Sequence, residues 1–114
     1  MTIRRLDPST TGDAILEAMV RRLTDRFNPE RILLFGSRAT SRATEWSDVD
    51  LLVVMPDGTD RRQAAIEMHV ALGDLPAAKD IVVTTPAHIK QRGHVIGSVL
   101  RTALREGTVL YERA

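Results

Sequence analysis

Two short stretches of this sequence carry groups that could act together on a phosphate. Phe35-Gly36-Ser37-Arg38 closes the apolar run Ile32–Phe35, and after ten residues that follow Ser37 comes Asp48-Val49-Asp50, which opens the stretch Val49–Met55, apolar apart from Asp50. Alternate residues of a strand face the same way, so Asp48 and Asp50 project from one face with Cα atoms roughly 7 Å apart, a span a divalent cation can bridge. Asp80 heads a further apolar stretch, Ile81-Val82-Val83. Three carboxylates on one rim repel one another unless a cation neutralises them, and an all-oxygen ligand set suits Mg2+ or Mn2+ rather than zinc. Opposite them, Gly36 lets a phosphate approach the backbone, and a helical turn beginning at Ser37 offers free N–H groups to an anion. Metal-bridging carboxylates facing an anion cradle make a site for a metal triphosphate, which points to nucleotidyl or phosphoryl transfer.

The elements that must position these groups are legible from periodicity and punctuation. Ile15, Met19, Leu23 and Phe27 recur every four positions, so a first amphipathic helix runs to Asn28-Pro29. Ile32–Phe35 reads as a buried strand, Arg38–Ala43 as a helical turn, and Asp48–Met55 as a second strand stopped by Pro56-Asp57-Gly58. A helix containing Ile66 and Val70 is expected from an N-cap at Thr59 to a C-cap at Gly73. Lys79–Thr84 reads as a third strand, and Thr85-Pro86 opens a short helix that Gly93 interrupts. Ile96, Leu100 and Leu104 line a last helix closed by Gly107, before an edge strand at Val109–Tyr111 whose Tyr111 could meet a partner. About a dozen residues between the first two strands favour an antiparallel pair, whereas the stretch from Met55 to Lys79 has room for a right-handed parallel crossover. The predicted class is α/β (α+β), a small mixed sheet flanked by helices, in a single domain spanning 1–114.

Composition narrows the function further. The 114 residues contain no cysteine, which excludes disulfide scaffolds, thiolate zinc sites and cysteine nucleophiles. Sixteen Lys and Arg against fifteen Asp and Glu leave a formal charge of +1, and with no polybasic tail direct nucleic-acid binding is disfavoured. No apolar run approaches a membrane span, and the start MTIRRLDPST lacks the apolar stretch of a signal peptide, so a cytoplasmic location is expected. His69, His88 and His94 share no metal-ligand spacing.

The compound pattern resembles the minimal nucleotidyltransferases of the DNA polymerase beta superfamily. The words that carry the resemblance are ILLFGSRA, SDVDLLVV after the gap, the acidic strand KDIVV and the closing ALREGTVLYER, from about Arg31 to Arg113. One departure is that Thr40-Ser41 stands where family members often carry Arg-Gly, so either Arg38 or Arg42 is left to meet phosphate. The resemblance implies that Asp48, Asp50 and Asp80 are catalytic and hold two Mg2+ ions, with Mn2+ as a substitute. It implies that Gly36 and Ser37 grip the β and γ phosphates of ATP or another NTP. Small members of this family resemble the antitoxin half of two-gene modules whose partner is a HEPN-domain ribonuclease, silenced by transfer of AMP to a tyrosine hydroxyl. A chain of this length leaves no segment for an acceptor domain, which fits a protein acceptor. Two rivals stand beside this expectation: the same chemistry on a small molecule or RNA end, and an idle module that neutralises a partner by docking alone.

Overall fold

The computed structural model describes residues 2–3, 13–35, 49–75, 79–93 and 99–113. Within them, helix α1 (Asp13–Phe27) buries Leu16, Met19, Val20 and Leu23, so the centre of its apolar stripe lies beside the four-residue repeat that announced it. Ile15 and Phe27 are half-buried at the margins. Asn28 adopts a left-handed φ of 51°, and Pro29 follows it, so the helix cannot continue.

Five strands form one sheet in the order β1-β5-β2-β3-β4: β1 (Thr2–Ile3), β2 (Arg31–Phe35), β3 (Val49–Val54), β4 (Lys79–Thr84) and β5 (Thr108–Glu112). As the connection lengths required, β2 and β3 are antiparallel while β3 and β4 are parallel. Strand alternation separates two layers. Ile32, Leu34, Leu51, Val53, Ile81 and Val83 face α1 and α2 (Arg61–Ala71). Leu33, Phe35, Leu52 and Val54 face the opposite layer, where α3 (Pro86–Arg92) and α4 (Val99–Glu106) contribute Ile89, Leu100, Ala103 and Leu104. Arg22 of α1 donates to Ala71 O at 2.9 Å and pairs with Asp74, which ties α1 to the end of α2.

Two helix boundaries and one helix face differ from expectation. The N-cap of α2 is Asp60, whose carboxylate accepts from Gln63 N at 3.0 Å, while Thr59 Oγ1 donates to Pro56 O at 2.7 Å and closes the turn instead. The helix ends at Ala71, two residues before Gly73, with Leu72 as its cap. Its buried face is Ala64, Met68 and Ala71, and Ile66 and Val70 are 50% and 77% exposed. Residues two apart on a helix lie on roughly opposite sides, so burying Met68 turns both of them to solvent. For α3, by contrast, Thr85 caps as expected, its hydroxyl accepting from His88 N at 3.2 Å, with Pro86 in the first turn. Ile96 of the expected last helix and the turn Arg38–Ala43 lie outside the described residues.

The edge-strand reading of Val109–Tyr111 is overturned. β5 is an interior strand, because β1, which periodicity could not reveal in two residues, pairs Ile3 with Tyr111 on its outer side. Tyr111 is fully buried and unable to serve as a surface contact. A bulge between Ile32 and Leu33 explains how Leu110 and Tyr111, consecutive in sequence, both enter the core on the α1 side. The Tyr111 hydroxyl is buried with no hydrogen-bond partner among the described residues. A desolvated, unpaired hydroxyl costs stability, so Tyr111→Phe is expected to raise the unfolding free energy by about 1 kcal/mol. Urea denaturation checks this, and a lowered midpoint would show that the hydroxyl is satisfied.

Candidate functional site

The site is built by the ends of three strands. Leu51, Leu52, Val53 and Val54 are buried, which fixes β3 in its register and holds Asp50 at the point where that buried run begins. Asp50 is the register partner of Asp80 on β4 and, on its other side, of Phe35 on β2. Neighbouring strands lie about 4.8 Å apart and register partners face the same way, so Phe35, Asp50 and Asp80 form one row across the sheet. The row lies on the face that carries α3 and α4, since Leu33, Leu52 and Val82 of the same alternation pack in that layer. Phe35 is buried, Asp50 is half-buried and Asp80 is exposed.

Two carboxylates set directly opposite on adjacent strands are unfavourable for folding in themselves. The alternative for Asp80, a surface ion pair with its neighbour Lys79, is not what the structure contains. Consecutive strand residues point to opposite faces, and Lys79 Nζ donates to Leu75 O at 3.2 Å on the α2 side. Asp80 makes no ion pair with a described residue. The donor set of the row is oxygen alone, which fits a hard divalent cation. Among the described residues no group of three or more His, Cys, Asp or Glu converges on one point. Asp48, expected as the third carboxylate, lies outside the described residues, as do Gly36, Ser37, Arg38 and Arg42. Of the seven expected site residues, the structure therefore places Asp50 and Asp80, and it brings those two together.

Phe35 was not among the expected site residues. Its place was readable in retrospect, because it shares the alternation of Leu33 and ends β2 beside the Gly36-Ser37 pair of the sequence. Phe35 neighbours Asp50 in the row, and its buried side chain packs in the α3–α4 layer.

The other polar cluster lies at the far end of β3 and β4. The exposed Asp57 carboxylate accepts from Ala87 N at 2.8 Å, tying the turn after β3 to α3. His88 Nδ1 is 2.8 Å from Thr84 Oγ1, and Arg61 Nη1 is 3.1 Å from Nε2. A neutral ring that donates from Nδ1 to Thr84 and accepts Arg61 at Nε2 uses both contacts. Burial, and then the nearby Arg61 and Arg92 charges, hold the His88 pKa below its ordinary value of 6.5. The unfolded chain then takes up this proton at higher pH than the folded one, so the His88 contribution is complete above pH 6.5 and declines as the pH falls below it. His88→Gln is expected to lose less thermal stability than the wild type between neutral and mildly acid pH. Equal losses in a pH series of melting curves would rule that contribution out. His69 is exposed on α2, and no histidine approaches the carboxylate row among the described residues.

Comparison with known proteins bears on both fold and chemistry. A family model described as a nucleotidyltransferase domain matches residues 16–109. No curated protein matches the chain significantly. A protein of Sulfolobus solfataricus assigned as a nucleotidyltransferase superposes with a TM-score of 0.62 at 19% identity, over 88% of this chain and 79% of that one. A toxin–antitoxin structure with AMP-PNP gives 0.53 at 23% identity, over 85% and 73%. The MntA-HepT toxin–antitoxin structure gives 0.51 at 21% identity, over 88% and 72%. At such identities the likeness to these structures establishes the fold alone.

Proposed function

The chain belongs to the nucleotidyltransferase domain family, and from that membership we propose that it transfers AMP from ATP to a tyrosine hydroxyl of a HEPN-domain toxin and acts as its antitoxin. The observation that carries the chemistry is the register pairing of Asp50 with Asp80, which sets two carboxylates side by side at a sheet rim. Support for the partner comes from the fold neighbours, two of which are toxin–antitoxin structures and one of which contains AMP-PNP.

In this reading the acceptor hydroxyl attacks the α-phosphorus of ATP in line. A bond forms from its oxygen to phosphorus, the bond to the β-phosphate bridging oxygen breaks, and pyrophosphate leaves. Asp80, the exposed member of the pair, is within reach of an entering acceptor and takes the hydroxyl proton. Asp50, fixed by the buried strand behind it, keeps its carboxylate at the rim beside Asp80. Asp48, Asp50 and Asp80 would hold Mg2+ or Mn2+, which supplies charge neutralisation on the entering and leaving oxygens when bound. Gly36 and Ser37 are assigned to the β and γ phosphates, and one of Arg38 and Arg42 to their charge. Little covalent work falls to the protein, so positioning and charge account for most of the rate.

The test is incubation of the chain with α-labelled ATP and Mg2+, with and without the product of the neighbouring gene. Label on a tyrosine of that protein, lost on mutating the tyrosine, is expected. Label confined to RNA or a small molecule would assign the acceptor elsewhere, and inhibition of the partner without label would make the chain a docking module.

Among the described residues, no helix is long and apolar enough to cross a membrane.

A further inference from the structure

The overall charge of +1 conceals a strong local imbalance. Between Asp80 and Glu106 the sequence contains no Asp or Glu, yet it carries Lys90, Arg92, Arg101 and Arg105. All four belong to α3 and α4, the two helices that lie on the same sheet face as Asp50 and Asp80. The helices are in contact, since a methyl group at Gly93 would lie 3.1 Å from Leu104 Cδ1. Lys90, Arg92 and Arg105 are exposed and form no ion pair with a described residue, whereas Arg101 is half-exposed and engaged within the chain. The C-terminal end of α4 approaches the rim, because Gly107 abuts Leu34 and Leu34 precedes Phe35, the register partner of Asp50. The face is thus polarised, with carboxylates at its edge and cations over its helices.

We infer that the α3–α4 face is the docking surface for the partner protein, and that it receives an acidic patch of that protein. The inference rests on the reading that the acceptor is a protein. An acidic protein suits this face better than a nucleic acid for two reasons. No Phe, Trp or Tyr occurs between Asp80 and Glu106, so a nucleic acid would find charge but no ring on which to stack a base. Arg, the cation favoured in protein–protein contacts, supplies three of the four charges here. Docking there brings a partner hydroxyl to the rim where α4 ends, beside the Asp50–Asp80 pair.

The experiment compares three chains for binding to the product of the neighbouring gene, by biolayer interferometry at low and high salt. They are the wild type, the triple variant Lys90→Glu, Arg92→Glu, Arg105→Glu, and a control of equal charge on the opposite layer, Arg21→Glu, Arg26→Glu, Arg62→Glu. The α3–α4 variant is expected to bind roughly 50-fold more weakly at low salt, with a flatter salt dependence, while the control stays within about threefold of the wild type. Melting curves confirm that both variants are folded. Equal weakening of the two variants, or none, would overturn the surface assignment and leave the protein acceptor standing. Failure of the wild type to bind the partner at all would remove the protein acceptor itself. An RNA oligonucleotide that binds the wild type and loses affinity only for the α3–α4 variant, with partner affinity unmoved, would reassign the face to nucleic acid.

Discussion

Replacing Asp50 by Asn is expected to lower nucleotidyl transfer by about a thousandfold while the protein stays folded. The change is isosteric and removes only the charge. Asp50 is half-buried, between a buried aromatic at Phe35 and a second carboxylate at Asp80, so water cannot readily replace the lost oxygen charge. Its fold contribution is small by comparison, because the four residues behind it, Leu51 to Val54, anchor the strand regardless. Removing one of two opposed carboxylates also relieves repulsion across the strand pair. The melting temperature should therefore remain within about 5 °C of the wild type. Initial rates with labelled ATP, set beside melting curves, check both halves. Wild-type turnover in Asp50→Asn would remove Asp50 from the site, and a collapsed melting transition would make its role structural.

Gly107→Ala should produce the largest loss of stability for the smallest chemical change. Gly107 N donates to Ala103 O at 2.9 Å and ends α4, and the next residue, Thr108, pairs with Leu34 of β2. A methyl group here would collide with the Ala103 carbonyl and would lie 3.2 Å from Leu34 O. Both neighbours are backbone oxygens, one in a helix and one in an interior strand, and neither can swing aside as a flexible side chain would. The expected cost is about 2–3 kcal/mol, and the melting temperature should fall by about 10 °C or more. Because the methyl group would also press on Leu34 O of the strand that ends at Phe35, transfer activity should also fall at temperatures where the variant is still folded. An unchanged melting curve would mean that the α4–β5 junction has room that the structure does not show.

These two residues also illustrate how far the sequence could be read. Asp50 was identifiable because an acidic pair opening a buried run is a local pattern, and the antiparallel β2–β3 and parallel β3–β4 pairings followed from connection lengths. Lys79–Thr84 and the Thr85-Pro86 helix start were read with their observed bounds, since apolar run, cap and proline all agree there. Where competing signals were close together, the reading slipped. Thr59 and Asp60 are both good caps, and only the turn decided between them, by using the Thr59 hydroxyl for Pro56. Ile66 and Val70 are the branched apolar residues of α2, yet a close approach to the sheet favoured the small Ala64 and Ala71 around Met68. The pairing that buries Tyr111 comes from two residues at the opposite end of the chain, too short a stretch for any periodicity. The basic character of α3 and α4 is averaged away when charge is counted over the whole chain.

If the Asp50–Asp80 rim directs attack to the α-phosphorus, parallel reactions with α-labelled and γ-labelled ATP will give different fates for the two labels. Label from the α position should appear on the acceptor, and γ label should leave as pyrophosphate, with both signals lost in Asp50→Asn. Transfer of the γ label to the acceptor would make the chain a phosphotransferase, and α-label transfer undiminished in Asp50→Asn would place the chemistry away from this pair of carboxylates.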